Sequence, residues 1–406
     1  MKQNPDLRSF LLGALTLFSI SAVFSVTAVE AALFLALLLL LALRRGEGTL
    51  RGLWPELRSH PLFVPWALYL GVCLLTSLTA YYPGKALGQF NSDFLKYVCL
   101  ATLLLAVKKE HLPRLAAAYT AAAAVSSVFG IYEALSPLLR GEPLARAGVL
   151  MNAVRYGEAL TLALLLPLGR LLLAPGAAGG RERRLDLIAA ALIFCALVLT
   201  QTRGAWLGLA VGLAAIFLFS PASRKKIAAL SLALLLAAAL AAAVSPAIRG
   251  RFSGMAELAR GRVSAAQSNY GISVRLELWK LGYKMFKAHP VVGIGPGNVK
   301  KVFKKFHPDP FPEEGIYGTL NSIYVHQAAE RGLLGLGALL FLFWSMFRFA
   351  LDRFRRSGSP YALWAACALP AFYAVNLTEI SFQHVHTSFA SFLALAFAAA
   401  AEKGTA

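Results

Sequence analysis

The chain has 406 residues, 58% of them hydrophobic and 15% charged, with 40 Lys and Arg against 20 Asp and Glu and a formal net charge of +20. Such a composition excludes an ordinary soluble domain and suits a chain whose solvent is mostly lipid. The basic residues lie in short clusters between apolar runs, with no RNA-binding aromatic motif beside them, so nucleic acid is excluded as a partner.

An α-helix needs about 20 apolar residues to cross about 30 Å of hydrocarbon. In chain order, apolar runs predict helices over 9–26, 28–43, 62–79, 91–107, 115–136, 154–173, 185–201, 204–220, 227–246, 322–347, 360–377 and 385–401. The first run has a basic flank but no convincing small-residue cleavage site, and it leads straight into the second; it reads as a retained helix. Basic clusters follow every second run: Arg44, Arg45 and Arg51; Lys108, Lys109 and Arg114; Arg181, Arg183 and Arg184; Arg224, Lys225 and Lys226; Arg348, Arg353, Arg355 and Arg356. This positive-inside pattern predicts an all-α polytopic membrane protein of about 12 transmembrane helices with both termini in the cytoplasm. Residues 1–246 form helices 1–9, 247–321 one large periplasmic loop, and 322–406 helices 10–12. Cys73, Cys99, Cys195 and Cys367 all lie inside apolar runs, where small buried residues are expected rather than disulfides or a metal site. No internal repeat supports an inverted-repeat transporter.

The loop breaks the charge rule, with twelve Lys and Arg against five acids. Long loops cross regardless of charge, so the topology stands. Its basic face suits either anionic lipid headgroups or a phosphate-bearing substrate at the membrane surface. Within it, Ser273 to Lys287 predicts an amphipathic helix, with Trp279, Met285 and Phe286 toward the bilayer or core and Lys280, Lys284 and Lys287 toward water. It stops at Pro290, and Gly293, Gly295 and Gly297 make an irregular turn.

Polar residues near the ends of the apolar runs are the functional candidates. Arg203 stands in a tight turn between the seventh and eighth runs, where it either snorkels to headgroups or grips a phosphate bidentately, as Lys could not. Asn321, Ser322, Tyr324 and His326 open the tenth run. Glu330 and Arg331 lie deeper, point about 100° apart and need separate partners. A lone histidine is commonly a buried, satisfied one, yet His326 shares a face with Ser322.

Three stretches together resemble the O-antigen ligase/polymerase family of bacterial membrane glycosyltransferases. They are Thr202-Arg203-Gly204-Ala205, the loop from Arg275 through Trp279 and His289-Pro290 to Gly293-Ile294-Gly295-Pro296-Gly297-Asn298, and Asn321-Ser322-Ile323-Tyr324 with Ala329-Glu330-Arg331-Gly332-Leu333-Leu334-Gly335. Arg146-Ala147-Gly148, with Asn152 and Tyr156-Gly157, is similar to a weaker outer motif. The resemblance implies an inverting enzyme of the bacterial inner membrane. It would pass a glycan from undecaprenyl diphosphate to an acceptor sugar hydroxyl at the periplasmic face, with no nucleotide sugar, no cofactor and no metal. The acceptor is lipid A-core for a ligase or a growing lipid-linked glycan for a polymerase; membrane lipids and envelope polysaccharide assembly proteins are the implied partners. Arg203 and Arg275 would neutralise the leaving diphosphate, and Arg146, Tyr156, His289, Asn298, Ser322 and Tyr324 would contact substrate. Family ligases usually carry His-Asn where this chain has Asn321-Ser322, and an amide cannot serve as a base. Either His326 takes the proton, or Asn321 orients the acceptor while another group such as His289 does. The rival class is a flippase of the same lipid, which should line its path with mid-bilayer polar residues across several helices.

Overall fold

A helix lies over each of the twelve apolar runs. The computed structural model describes residues 5–402, except 150, 174–179, 221–223, 247, 251–269 and 309–315. Helices α1 (Pro5–Phe24) and α2 (Val26–Gly46) are separated by Ser25, whose side chain caps α2 by accepting from the Ala28 amide at 3.3 Å. The short α3 (Leu53–Arg58) precedes α4 (Phe63–Leu78), and α5 (Pro83–Ala106), α6 (Leu112–Leu135), α7 (Ala153–Leu173), α8 (Gly180–Leu199), α9 (Arg203–Phe219) and α10 (Arg224–Val244) follow. After the loop region come α11 (Tyr270–Ala288), α12 (Val299–Phe306), α13 (Ile323–Ser357), α14 (Pro360–Val375) and α15 (Val385–Glu402). No β-strand occurs among the described residues.

By length and apolarity alone, five of these helices can cross a membrane: α1, α2, α6 with its flanking turns, α7 and α13. The pair Leu50–Arg58 and Phe63–Leu78, bent by 87°, brings the number to six, and α9, α14 and α15 are shorter apolar helices. Composition explains the gap from twelve. Helix α5 carries Lys85, Asp93 and Lys96, and α8 begins in a basic cluster. For the topology, we expect reporter fusions after residue 300 to be active only outside and fusions after residue 180 only inside; the reverse at both sites would overturn it.

Helices α14 and α15 are buried on almost every side and form the axis of the bundle, with α7, α9 and α13 packed around α14. Helix α9 approaches α14 and α7 through Gly204, Gly208 and Gly212, four residues apart. A Cβ on Gly208 would lie 2.5 Å from the Val375 side chain, and one on Gly212 2.7 Å from Leu165. Such small-residue stripes let backbones close up in lipid, where packing rather than the hydrophobic effect drives association.

The glycine-rich loop turns out to be a structural partner of α13. That helix breaks at Gly332 (φ 61°, ψ −158°), which strips helical hydrogen bonds from neighbouring backbone groups. The loop supplies replacements. The amides of Ile294 and Gly295 donate to the carbonyls of Ala329 and Glu330 at 3.0 and 2.8 Å, and those of Leu333 and Leu334 donate to Pro290 and Val291 at 2.8 and 3.2 Å. Irregular backbone survives at membrane depth only when protein satisfies it in this way. The Asn298 amide holds the turn from within by donating to the Ile294 carbonyl at 3.2 Å, and the Tyr81 amide donates to that same carbonyl at 3.2 Å.

Around this lock, Val274, Leu278, Leu281 and Met285 of α11 form a small second core with Ile294, Val299, Val302, Phe303, Leu320 and Ala329. The predicted amphipathic helix is therefore present, but Trp279 and Phe286 are only half-buried, whereas Lys280, Lys284 and Lys287 are exposed as expected. Much of the predicted basic loop, including Arg251, Arg260 and Arg262, falls outside the described residues.

Candidate functional site

Polar groups from five parts of the chain meet where α9 and α13 begin and α14 ends. The centre is the connection 376–384 between α14 and α15. Asn376 fixes it: its side-chain amide donates to the Phe372 carbonyl at 2.8 Å, and its side-chain oxygen accepts from the Phe382 amide at 2.9 Å. The first amide of α13, on Ile323, donates to the carbonyls of Asn376 and Glu379 at 3.0 and 2.9 Å. The glycine stripe of α9 ends at the same place, where a Cβ on Gly204 would lie 2.7 Å from the Thr378 hydroxyl. Arg203 precedes Gly204 by one residue, at the first position of α9.

Arg275 of α11 reaches this connection from the other side. Its Nε donates to the Thr378 carbonyl at 3.2 Å, and its guanidinium pairs with the Glu379 carboxylate. Arg146 braces the turn ahead of α9, donating to the Thr200 carbonyl at 2.9 Å and the Thr202 hydroxyl at 3.1 Å. Arg155 and the buried Glu158 face the site from α7. Burial pushes the Glu379 carboxyl above the usual carboxylate range, against the opposing pull of Arg275, Arg146 and Arg155. Burial likewise holds the His384 imidazole down, at about 3. Cationic groups outnumber anionic ones here, which suits a multiply charged anion.

Below this level lies a second network, buried and ionic. Arg331 pairs with Asp93 at 2.5 Å and donates to Gln327 at 3.0 Å, and Asp93 also pairs with Lys96 at 3.1 Å. Gln327 in turn donates to the Tyr69 hydroxyl at 3.3 Å. Glu330 takes the separate course predicted for it: one oxygen accepts from the Gly297 amide at 2.8 Å and the other lies 3.3 Å from His326 Nε2.

The predicted residues therefore divide. Arg203, Arg275, Asn321, Ser322 and Arg146 gather at or beside the 376–384 connection. Asn321 has φ 47° and accepts from the Thr319 hydroxyl at 3.2 Å, and Ser322 is buried at the α13 N-cap position without a side-chain cap bond. The others lie elsewhere. His326 is only 2% exposed and lies 3.3 Å from Glu330. Tyr156 is buried and accepts from the Ser126 hydroxyl at 2.8 Å, which ties α7 to α6. Tyr324 donates to the Tyr373 carbonyl at 2.9 Å beside an apolar cavity of about 380 Å³. His289 lies 2.7 Å from the Tyr81 hydroxyl, and Asn298 is consumed by its own loop. Each of these four is engaged within the protein.

Sequence reasoning missed Glu379, Thr378, Arg155 and Glu158, together with the Asp93–Lys96 pair. An acid between the last two apolar runs, and charges inside the fourth and sixth, were the signals available. Among the described residues, no group of three or more His, Cys, Asp or Glu is placed to hold a metal ion.

One further feature adjoins the cationic end. Starting one turn past Arg203, an apolar groove of about 620 Å³ runs along α9 between α8 and α10, lined by Trp206, Leu209, Leu213, Phe194 and Leu234 among others. Residues 188–340, which span α9, the loop lock and the first half of α13, match the family described as O-antigen ligase. No curated protein matches the chain at a significant level.

Proposed function

We infer, from the chain's membership of the glycosyltransferase-like O-antigen ligase/polymerase family, that it transfers a glycan from undecaprenyl diphosphate to an acceptor sugar hydroxyl. The reaction takes place at the periplasmic face of the bacterial inner membrane, needs no cofactor, and inverts the anomeric carbon. Joining the glycan to lipid A-core is the first reading. Extension of a lipid-linked chain is the second, favoured by one observation: Asn321 stands where ligases of the family usually carry His.

The convergence of Arg275 and of the start of α9, which Arg203 opens, on the Thr378–Glu379 segment carries this reading. A diphosphate leaving group gains charge as its bond to the sugar breaks, and guanidiniums already in place stabilise that charge without reorganisation. The groove along α9 adds support, because it offers apolar space for a prenyl chain directly below Arg203. The buried charges of α5 and α13 do not support a flippase, since they pair with one another.

The test is transfer by the purified protein in nanodiscs from a defined undecaprenyl-diphosphate glycan. Product on lipid A-core supports the ligase reading and longer lipid-linked chains the polymerase; neither product would overturn both. In the same assay Arg203→Lys and Arg275→Lys should each lose at least about tenfold in turnover, because a compact ammonium cannot reproduce the planar fork that grips phosphate. Near wild-type turnover in both would leave the arginines as headgroup anchors.

A further inference from the structure

We propose that Glu379 is the general base for the acceptor hydroxyl, and that the donor diphosphate unmasks it by taking Arg275 away. The proposal rests on the transferase reading above and deepens it. Three observations lead to it. Glu379 is the acid that the structure sets against the cationic cluster: it pairs with Arg275, and Arg146 and Arg155 act on it from neighbouring segments. Its backbone adjoins the start of α13, where the Ile323 amide donates to its carbonyl at 2.9 Å, two residues from Asn321, the side chain that cannot take a proton. Its side chain also keeps 12% exposure and Arg275 keeps 29%, whereas His326 and Glu330 are sealed at 3% and 0%.

In the unliganded chain, Arg275 neutralises Glu379, and a paired carboxylate is a poor base. A diphosphate carries more charge than a carboxylate and presents several oxygens, so it outcompetes Glu379 for the guanidinium. The freed carboxylate then accepts the proton of the acceptor hydroxyl. The acceptor oxygen bonds to the anomeric carbon from the face opposite the leaving group. The electron pair of the breaking carbon–oxygen bond passes to the diphosphate, whose new charge Arg203 and Arg275 hold. Protonated Glu379 returns its proton to water once the lipid diphosphate departs and Arg275 swings back. The base is thus idle until donor is bound. The charged and titratable groups acting on Glu379 are Arg275 of α11, Arg146 before α7, and Arg155 and Glu158 of α7; Arg203 opens the neighbouring α9, and His384 shares its connection. Burial raises the Glu379 carboxyl above the usual carboxylate range, against the pull of Arg275.

The experiment compares wild type with Glu379→Gln in nanodiscs. It measures transfer from a synthetic undecaprenyl-diphosphate glycan over a pH series, and binding of undecaprenyl diphosphate alone. A base is active only when deprotonated, so wild-type turnover should fall as pH drops through the Glu379 pKa. Glu379→Gln should lose about 10² to 10⁴ in kcat and lack that acid limb. It should also bind undecaprenyl diphosphate more tightly, by about three- to tenfold, because one charge competitor for Arg275 is gone. Turnover within tenfold of wild type with the acid limb intact overturns the proposal and leaves the transferase reading standing. Weaker diphosphate binding overturns the partner exchange. A wild type that transfers nothing to either acceptor removes the transferase reading and this proposal with it. If Glu379→Gln does not purify as a monodisperse protein, Glu379→Asp replaces it. There a retracted carboxylate should keep the acid limb but lower kcat about tenfold or more, and wild-type kcat would overturn the proposal.

Discussion

Replacing Gly332 with valine is expected to abolish assembly of the bundle, not merely to slow turnover. At φ 61° and ψ −158° the residue occupies a region essentially open only to glycine, and a Cβ there would lie 2.3 Å from the Val291 carbonyl carbon. The conformation alone costs a β-branched residue roughly 1–3 kcal/mol or more. The larger loss comes from displacement of the 290–297 segment. Moving it leaves the carbonyls of Ala329 and Glu330 and the amides of Leu333 and Leu334 without partners in a medium that offers none. Each orphaned group costs on the order of 1–3 kcal/mol, so the four together are comparable to the margin of a typical domain. The readout is recovery of monodisperse protein from membranes. Normal recovery and thermal stability would show that the lock is dispensable.

Asp93→Asn should be nearly as damaging. Asp93 is the acid that faces both Arg331 and Lys96, all three of them 1% exposed or less. Its neutral isostere would leave two cations buried side by side. Breaking a buried pair typically costs about 3–5 kcal/mol, most of it the penalty for the stranded charge. The double variant Asp93→Asn with Arg331→Met should recover part of that loss, because removing a stranded cation is less costly than keeping it. Thermal unfolding in detergent measures both, and an additive double variant would mean that the two residues do not act as a pair.

Helix placement was legible because lipid imposes it: a stretch that must present an apolar exterior and bond its own backbone shows this in composition. The extension of α5 back to Pro83 was not legible, since residues 83–90 are mixed in character and the proline favours the first helical turn. At the site, Arg203 and Arg275 stood out as charges beside apolar runs. Their company did not. Arg275 meets Glu379 across 104 residues of sequence, and Arg331 meets Asp93 across 238. Pairings over such separations depend on how helices pack, and local patterning carries no trace of that. The surroundings of His326 were hidden for a related reason. Its spacing from Ser322 put both on one face, but the face is turned inward onto Glu330. The glycine-rich loop read only as an irregular turn because its partner is backbone, and backbone leaves no side-chain signature.

The Asp93–Lys96 pair also bears on how the protein is made. Arg331 leaves the ribosome 238 residues after Asp93, a delay of roughly 10–50 s at ordinary rates of synthesis. During that time α5 already carries an acid whose eventual partner does not yet exist. Lys96, three residues along the same helix and 3.1 Å from Asp93, supplies an interim counter-charge that needs nothing synthesised later. When α13 arrives, its guanidinium joins a carboxylate already held by a partner on its own helix. Lys96 thus acts as a placeholder in time, letting an early helix wait for a late one.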